Sequence, residues 1–134
     1  MADNTNKEKY SKKLAEIFNE IAANNPEMLN SLMTDELLEC VMKELYFEME
    51  QELHTYEYAF HLMTTPPEDC YRKDKDYWIA WAKVARKSLV SQNELYKAYE
   101  SLRASRNLDI EHDFDPNLVE KALNDEEKVN ILLS

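Results

Sequence analysis

Between Asp35 and Met63, the residues Leu38, Met42, Leu45, Met49, Leu53, Tyr56, Phe60 and Met63 follow one another at steps of three and four. That spacing keeps side chains on one face of an α-helix, and it predicts a single long helix over about 35–63. At 1.5 Å per residue such a helix reaches about 43 Å, long enough for other segments to lie along it in series. It is the expected spine of the fold.

Shorter stripes flank it. Tyr10, Leu14, Ile17, Phe18 and Ile21 predict a helix over about Asn6 to Ala23, opened by the capping box Thr5-Asn6-Lys7-Glu8. Asn25-Pro26 then signals a short helix from Pro26 to Leu32, with Asn as cap and proline at the first helical position. Thr34 is placed to cap the spine, and Asp35 and Glu36 put negative charge at the positive end of its dipole. Thr64-Thr65-Pro66-Pro67 stops it, because proline lacks an amide hydrogen and disfavours a helical predecessor. A helical turn from Pro66 to about Tyr71 is expected next.

Tyr77 to Val90 is the second strong periodic segment, with Trp78, Ala82, Ala85 and Leu89 in register and Trp81 adjoining. Two tryptophans so close together predict a major contact with the spine. Ser91-Gln92-Asn93-Glu94 has the form of another capping box. The pattern therefore allows a new helix there, carrying Leu95, Ala98, Tyr99 and Leu102, or one helix running through. From Leu108 to Asp115 the pattern changes to strict apolar–polar alternation, predicting an extended acidic connector over 107–115 or a lone edge strand. Asp115-Pro116 and Asn124-Asp125 each open a further helix, the first carrying Leu118, Val119 and Ala122, the second Val129, Ile131, Leu132 and Leu133.

Composition sharpens the class. The chain has 134 residues, 44% of them apolar, and no glycine. Its length suits one domain with a real core, residues 1–5 being expected to be disordered. Tight hairpins favour glycine for positive φ, so its absence disfavours sheet and points to an all-α bundle of five or six helices around the spine. It also rules out the glycine-rich loops that cradle nucleotide phosphates. There is no apolar run of membrane-spanning length and no apolar core in the first ten residues, so the expected setting is cytoplasmic, without membrane. Cys40 and Cys70 are too few for a disulfide framework and are expected to be thiols.

Charge is segregated along the chain. Asn25 to Cys70 holds eleven acids and one base, a net −10; Tyr71 to Arg106 holds nine bases and four acids, +5; Asn107 to Ser134 holds eight acids and two bases, −6. The first 24 residues balance, giving −11 in all. Two outcomes follow from this pattern. Either the basic segment packs antiparallel to the acidic spine and the charges pair at the rim, or an acidic face is left for a cationic partner, in the limit imitating a nucleic-acid backbone.

Four constellations carry potential chemistry. Glu50, His54, Glu57 and His61 share a stripe on the spine with zinc-ligand residue types, but two helical turns, about 10.5 Å, separate the imidazoles. Asp109, Glu111, Asp113, Asp115, Asn117 and Glu120 have the acid spacing of a calcium-binding EF-hand loop. Phe114 stands where that loop needs glycine, and Pro116 where it needs a backbone donor. Glu44, Glu48 and Glu52 form a carboxylate ladder without the Glu-x-x-His motifs of dinuclear iron sites. Neither cysteine has an activating base visible in the sequence. Aromatics among bases at Trp78, Trp81, Lys83, Arg86 and Lys87 could stack on single-stranded nucleic acid, but they fit a core stripe better and the net charge opposes direct nucleic-acid binding.

No stretch carries a catalytic signature. The expectation is a non-catalytic acidic interaction module (adaptor, chaperone or inhibitor), free of cofactors and metals, that binds a basic protein surface and in one form acts as a nucleic-acid mimic. Its contact residues are expected among Glu44, Glu48, Glu50, Glu52, Glu57, Asp109, Glu111, Asp113 and Asp115, and a homodimer is one assembly open to it. The alternative is a metal-binding protein or metal-dependent enzyme using the spine carboxylates and histidines.

Overall fold

The computed structural model describes residues 13–14, 16–65 and 75–133. The Thr5–Glu8 box, the proposed disorder of residues 1–5, the turn expected from Pro66 to Tyr71 and Cys70 lie outside them. Six helices and no strand lie among the described residues: α1 over 16–24, α2 Pro26–Leu32, α3 Asp35–Thr64, α4 Lys75–Ser105, α5 Asn117–Leu123 and α6 Glu126–Leu133. The expected spine is α3. It has a companion of nearly the same length, 31 residues against 30, because α4 runs through Ser91 without a break.

That continuity has a periodic cause. Trp78, Ala82, Ala85, Leu89, Asn93, Tyr99 and Leu102 are all buried, so one inward face keeps its helical phase across the supposed boundary. Asn93 holds the buried position that an apolar residue would otherwise take. A capping-box sequence starts a helix only where the preceding turn cannot continue, and here it can. The paired tryptophans divide: Trp78 is buried, whereas Trp81, three residues on, is 44% exposed.

The chain divides into two units, each taking half of each long helix. The first comprises residues 1–47 and 94–114, the second 48–93 and 115–134. Within each, a half of α3 pairs with the complementary half of α4, so the two run antiparallel.

In the first unit, Phe18 and Ala22 of α1, Leu29 of α2, Leu38, Val41, Met42, Leu45 and Tyr46 of α3, and Tyr99 and Leu102 of α4 are buried. Burying one such large side chain contributes about 1.5–3 kcal/mol. Tyr99 Oη donates to Asn19 Oδ1 at 2.6 Å, which satisfies the one polar atom of a fully buried ring. Thr34 caps α3 as expected, its Oγ1 accepting from the Leu37 amide at 3.2 Å. Arg106 closes this end of the unit. It ion-pairs with Asp35 at 3.0 Å and donates to the Met33 carbonyl at 2.7 Å and the Asn30 carbonyl at 3.1 Å, oxygens that the end of α2 leaves unused.

In the second unit, Met49, Leu53, Tyr56, Ala59, Phe60 and Leu62 of α3 face Trp78, Ala82, Ala85 and Leu89 of α4, and Val119, Ala122, Leu123 and Leu132 complete the core from α5 and α6. Arg86 joins three helices, donating from Nη1 to Tyr56 Oη at 3.2 Å and from Nη2 to the Leu123 carbonyl at 2.9 Å. Asp125 caps α6 by accepting from the Lys128 amide at 3.4 Å.

The expected neutralisation of spine acids by α4 bases takes a different form. Arg86 goes to a phenol and a carbonyl, while Arg103 and Lys97 pair with Glu100 and Glu94 of their own helix. Just past the end of α4, Arg106 reaches back to a spine carboxylate, Asp35, at 3.0 Å. The cause is register: those α4 bases lie one helical turn from an acid of the same helix or beside a buried acceptor.

Candidate functional site

The segment following α4 is where the sequence alternates, and its backbone is held at each stage. Asn107 takes a left-handed conformation, φ 52°, at the position where helices commonly end on glycine. With no glycine in the chain, asparagine fills that role, since its short polar side chain tolerates the left-handed region. The Leu108 amide donates to the Arg103 carbonyl and the Asn107 amide to the Ala104 carbonyl, the paired bonds of a Schellman motif.

Side chains then fix the strip. The guanidinium of Arg103 grips Glu100 through Nε and Nη2 at 2.9 and 2.6 Å, and its Nη1 donates to the Leu108 carbonyl at 2.8 Å. The bond to Glu100 is the main reason its pKa is raised. Ile110 and Phe114 are buried in the first unit, while His112 between them lies flat on Tyr46, ring centroids 4.3 Å apart. His112 Nδ1 is 2.6 Å from the Phe114 carbonyl, which can only accept, so Nδ1 carries the proton. Tyr46 also meets Tyr96 at 5.9 Å, and burial above all pushes its phenol up to about 12.

Alternation does the rest. With Ile110 and Phe114 turned inward, Asp109, Glu111 and Asp113 are exposed. The backbone is neither helix nor strand over 108–112 and bends at Asp113 and Phe114, so three carboxylates stand exposed within five residues. Among the described residues none of the three has an ion pair within 4 Å. Glu111 does act on Lys43, whose pKa is raised chiefly by its bond to Glu39, with a smaller contribution from Glu111.

Asp115, the fourth acid of the alternation, belongs to the second unit and acts locally. Its Oδ1 accepts from the Asn117 amide at 3.0 Å, turning the chain into α5. The EF-hand spacing is therefore divided between outward-facing acids and a helix start.

On the spine, Glu50 and Glu57 are exposed, and Glu44, Glu48 and Glu52 are half-buried. Tyr58 stands between the two histidines, its ring 6.3 Å from both His54 and His61, and all three rings are exposed. Among the described residues no group of three or more His, Cys, Asp or Glu converges on a point where a metal ion could sit. Nor, among them, is any helix long and apolar enough to cross a membrane. Cys40 is a half-buried thiol.

One feature of this site escapes a reading of the sequence and another is only faintly marked in it. The stacking of His112 on Tyr46 joins residues 66 positions apart with no motif between them. The Schellman ending had a faint signal in Arg106-Asn107 just before the alternation. No family model, curated protein or solved structure matches this chain.

Proposed function

We propose that this protein is a non-catalytic interaction module, an adaptor, chaperone or inhibitor of the cytoplasm, that engages a basic protein surface through Asp109, Glu111 and Asp113. The observation that carries the reading is the fixed backbone beneath those acids. Arg103, the His112–Tyr46 stack and the buried Ile110 and Phe114 hold the strip in place, so little conformational freedom is lost on docking. Mobile acids would offer the same charge at a larger entropic cost. A short run of closely spaced, exposed carboxylates also suits a groove that tracks a nucleic-acid strand, which makes a nucleic-acid-mimicking inhibitor the specific form proposed.

The test is capture of the native partner by the full chain across a salt series, beside the triple variant Asp109→Asn, Glu111→Gln, Asp113→Asn. Capture should fall at least ten-fold in the variant, weaken steeply as salt rises, and be competed by a single-stranded oligonucleotide. A partner retained equally by the variant and at high salt would sink the proposal.

A further inference from the structure

A groove of about 420 Å³ opens on the second unit between α4 and α6. Its floor and edges are apolar, from Val90 of α4 and Val129, Leu132 and Leu133 of α6. Val90 and Leu133 are 43% and 80% exposed, so apolar surface on both walls is open to solvent. Along the α4 rim stand Lys83 and Lys87, one turn apart and exposed, and among the described residues neither has an ion pair within 4 Å. Arg86 adds a third positive charge, held by Tyr56 and Leu123. Among the described residues no acidic side chain lines this groove, in a chain of net charge −11.

We infer that this groove docks an acidic amphipathic helix of a protein partner, its apolar side chains seated between α4 and α6 and its carboxylates paired with Lys83 and Lys87. The α4 wall has the length such a helix needs: from Lys83 to Ser91 it runs about 12 Å, apolar anchors at i, i+3 and i+7 span about 10.5 Å, and α6 flanks about 6 Å of it between Val129 and Leu133. Charge selects the occupant, because a basic or neutral helix would leave the rim lysines desolvated without partners. A small anionic amphiphile matches less well: sites for such ligands enclose most of the ligand, and this one is open along its length. The strip of Asp109, Glu111 and Asp113 lies in the other unit, so the two surfaces are tested separately.

The experiment is selection of a displayed library of random twelve-residue peptides on the immobilised full chain. Enriched sequences should carry apolar residues at i, i+3 or i+4, and i+7, with Asp or Glu between them. Synthesised and labelled, they should bind saturably by fluorescence anisotropy, at least ten-fold more weakly to Lys83→Glu/Lys87→Glu and to Val90→Ser/Leu133→Ser, and unchanged to Lys97→Glu. All substituted side chains are exposed, and an unchanged circular dichroism melt confirms folding. No enrichment, enrichment of basic peptides, or binding indifferent to both double variants would overturn the assignment. So would a thermal shift with sodium dodecanoate in the absence of any enriched peptide, which would give the groove to a small amphiphile.

Discussion

The His112 imidazole lies 4.3 Å from the Tyr46 ring with the planes 20° apart, while its Nδ1 bonds the carbonyl of Phe114 two residues later. One side chain thus ties the acidic strip to α3 and also fixes the strip's own turn. Without it the strip would keep its anchors at Ile110 and Phe114 but lose the contact between them.

His112→Ala should therefore lower stability by about 1 kcal/mol, the combined contribution of a ring stack and one part-buried hydrogen bond. Amide hydrogen exchange should quicken from Ile110 to Phe114 while the centre of α3 keeps its protection. His112→Phe should recover the stacking part alone. Equal exchange in all three proteins would show that the strip does not depend on this clasp.

Asn107 has a positive φ that most residues reach only with strain. Asn107→Val should cost about 1–2 kcal/mol in a urea titration, because a β-branched side chain clashes in the left-handed region. Asn107→Gly should stay within about 0.5 kcal/mol of the parent, since relief of strain is offset by greater freedom of the unfolded chain. A valine variant as stable as the parent would mean the Schellman ending is dispensable.

Tyr46 has its pKa raised to about 12, and Tyr99 is raised further still, both by burial. A folded pKa above the unfolded value of about 10 means the folded state prefers the neutral phenol. Below pH 10 both states keep the proton and the stability is fully present; above it the unfolded chain releases protons that the folded chain holds. The melting temperature should therefore fall as pH rises from 10 toward 12, and Tyr46→Phe should fall less steeply than the parent. Parallel curves for the two proteins would remove Tyr46 from the account.

Much of the architecture was legible because burial and periodicity coincide. The stripe from Leu38 to Phe60 is buried along its whole length, and Thr34, Pro26 and Asp125 mark helix starts that the structure uses. At Ser91 a local starting signal met an unbroken helical phase. The phase prevailed, because a side chain packed inward is stabilised more than a cap that satisfies one or two amides. Trp81 shows the converse: an aromatic beside the stripe is left partly in water, because only one face of α4 meets α3.

The order of residues by itself determined the helical class, the spine, the alternation of the connector and the segregation of charge, all of which depend on neighbours a few positions apart. Which bases meet which acids was decided only by the tertiary structure, where Arg86 turns to Tyr56 and Leu123 and Arg106 reaches back 71 positions to Asp35. The same holds for the clasp of His112 on Tyr46 and for the groove between α4 and α6. Such pairings depend on helix register and on which face each segment buries, and a side chain's partner across a helix interface is set by that packing and not by its distance along the chain.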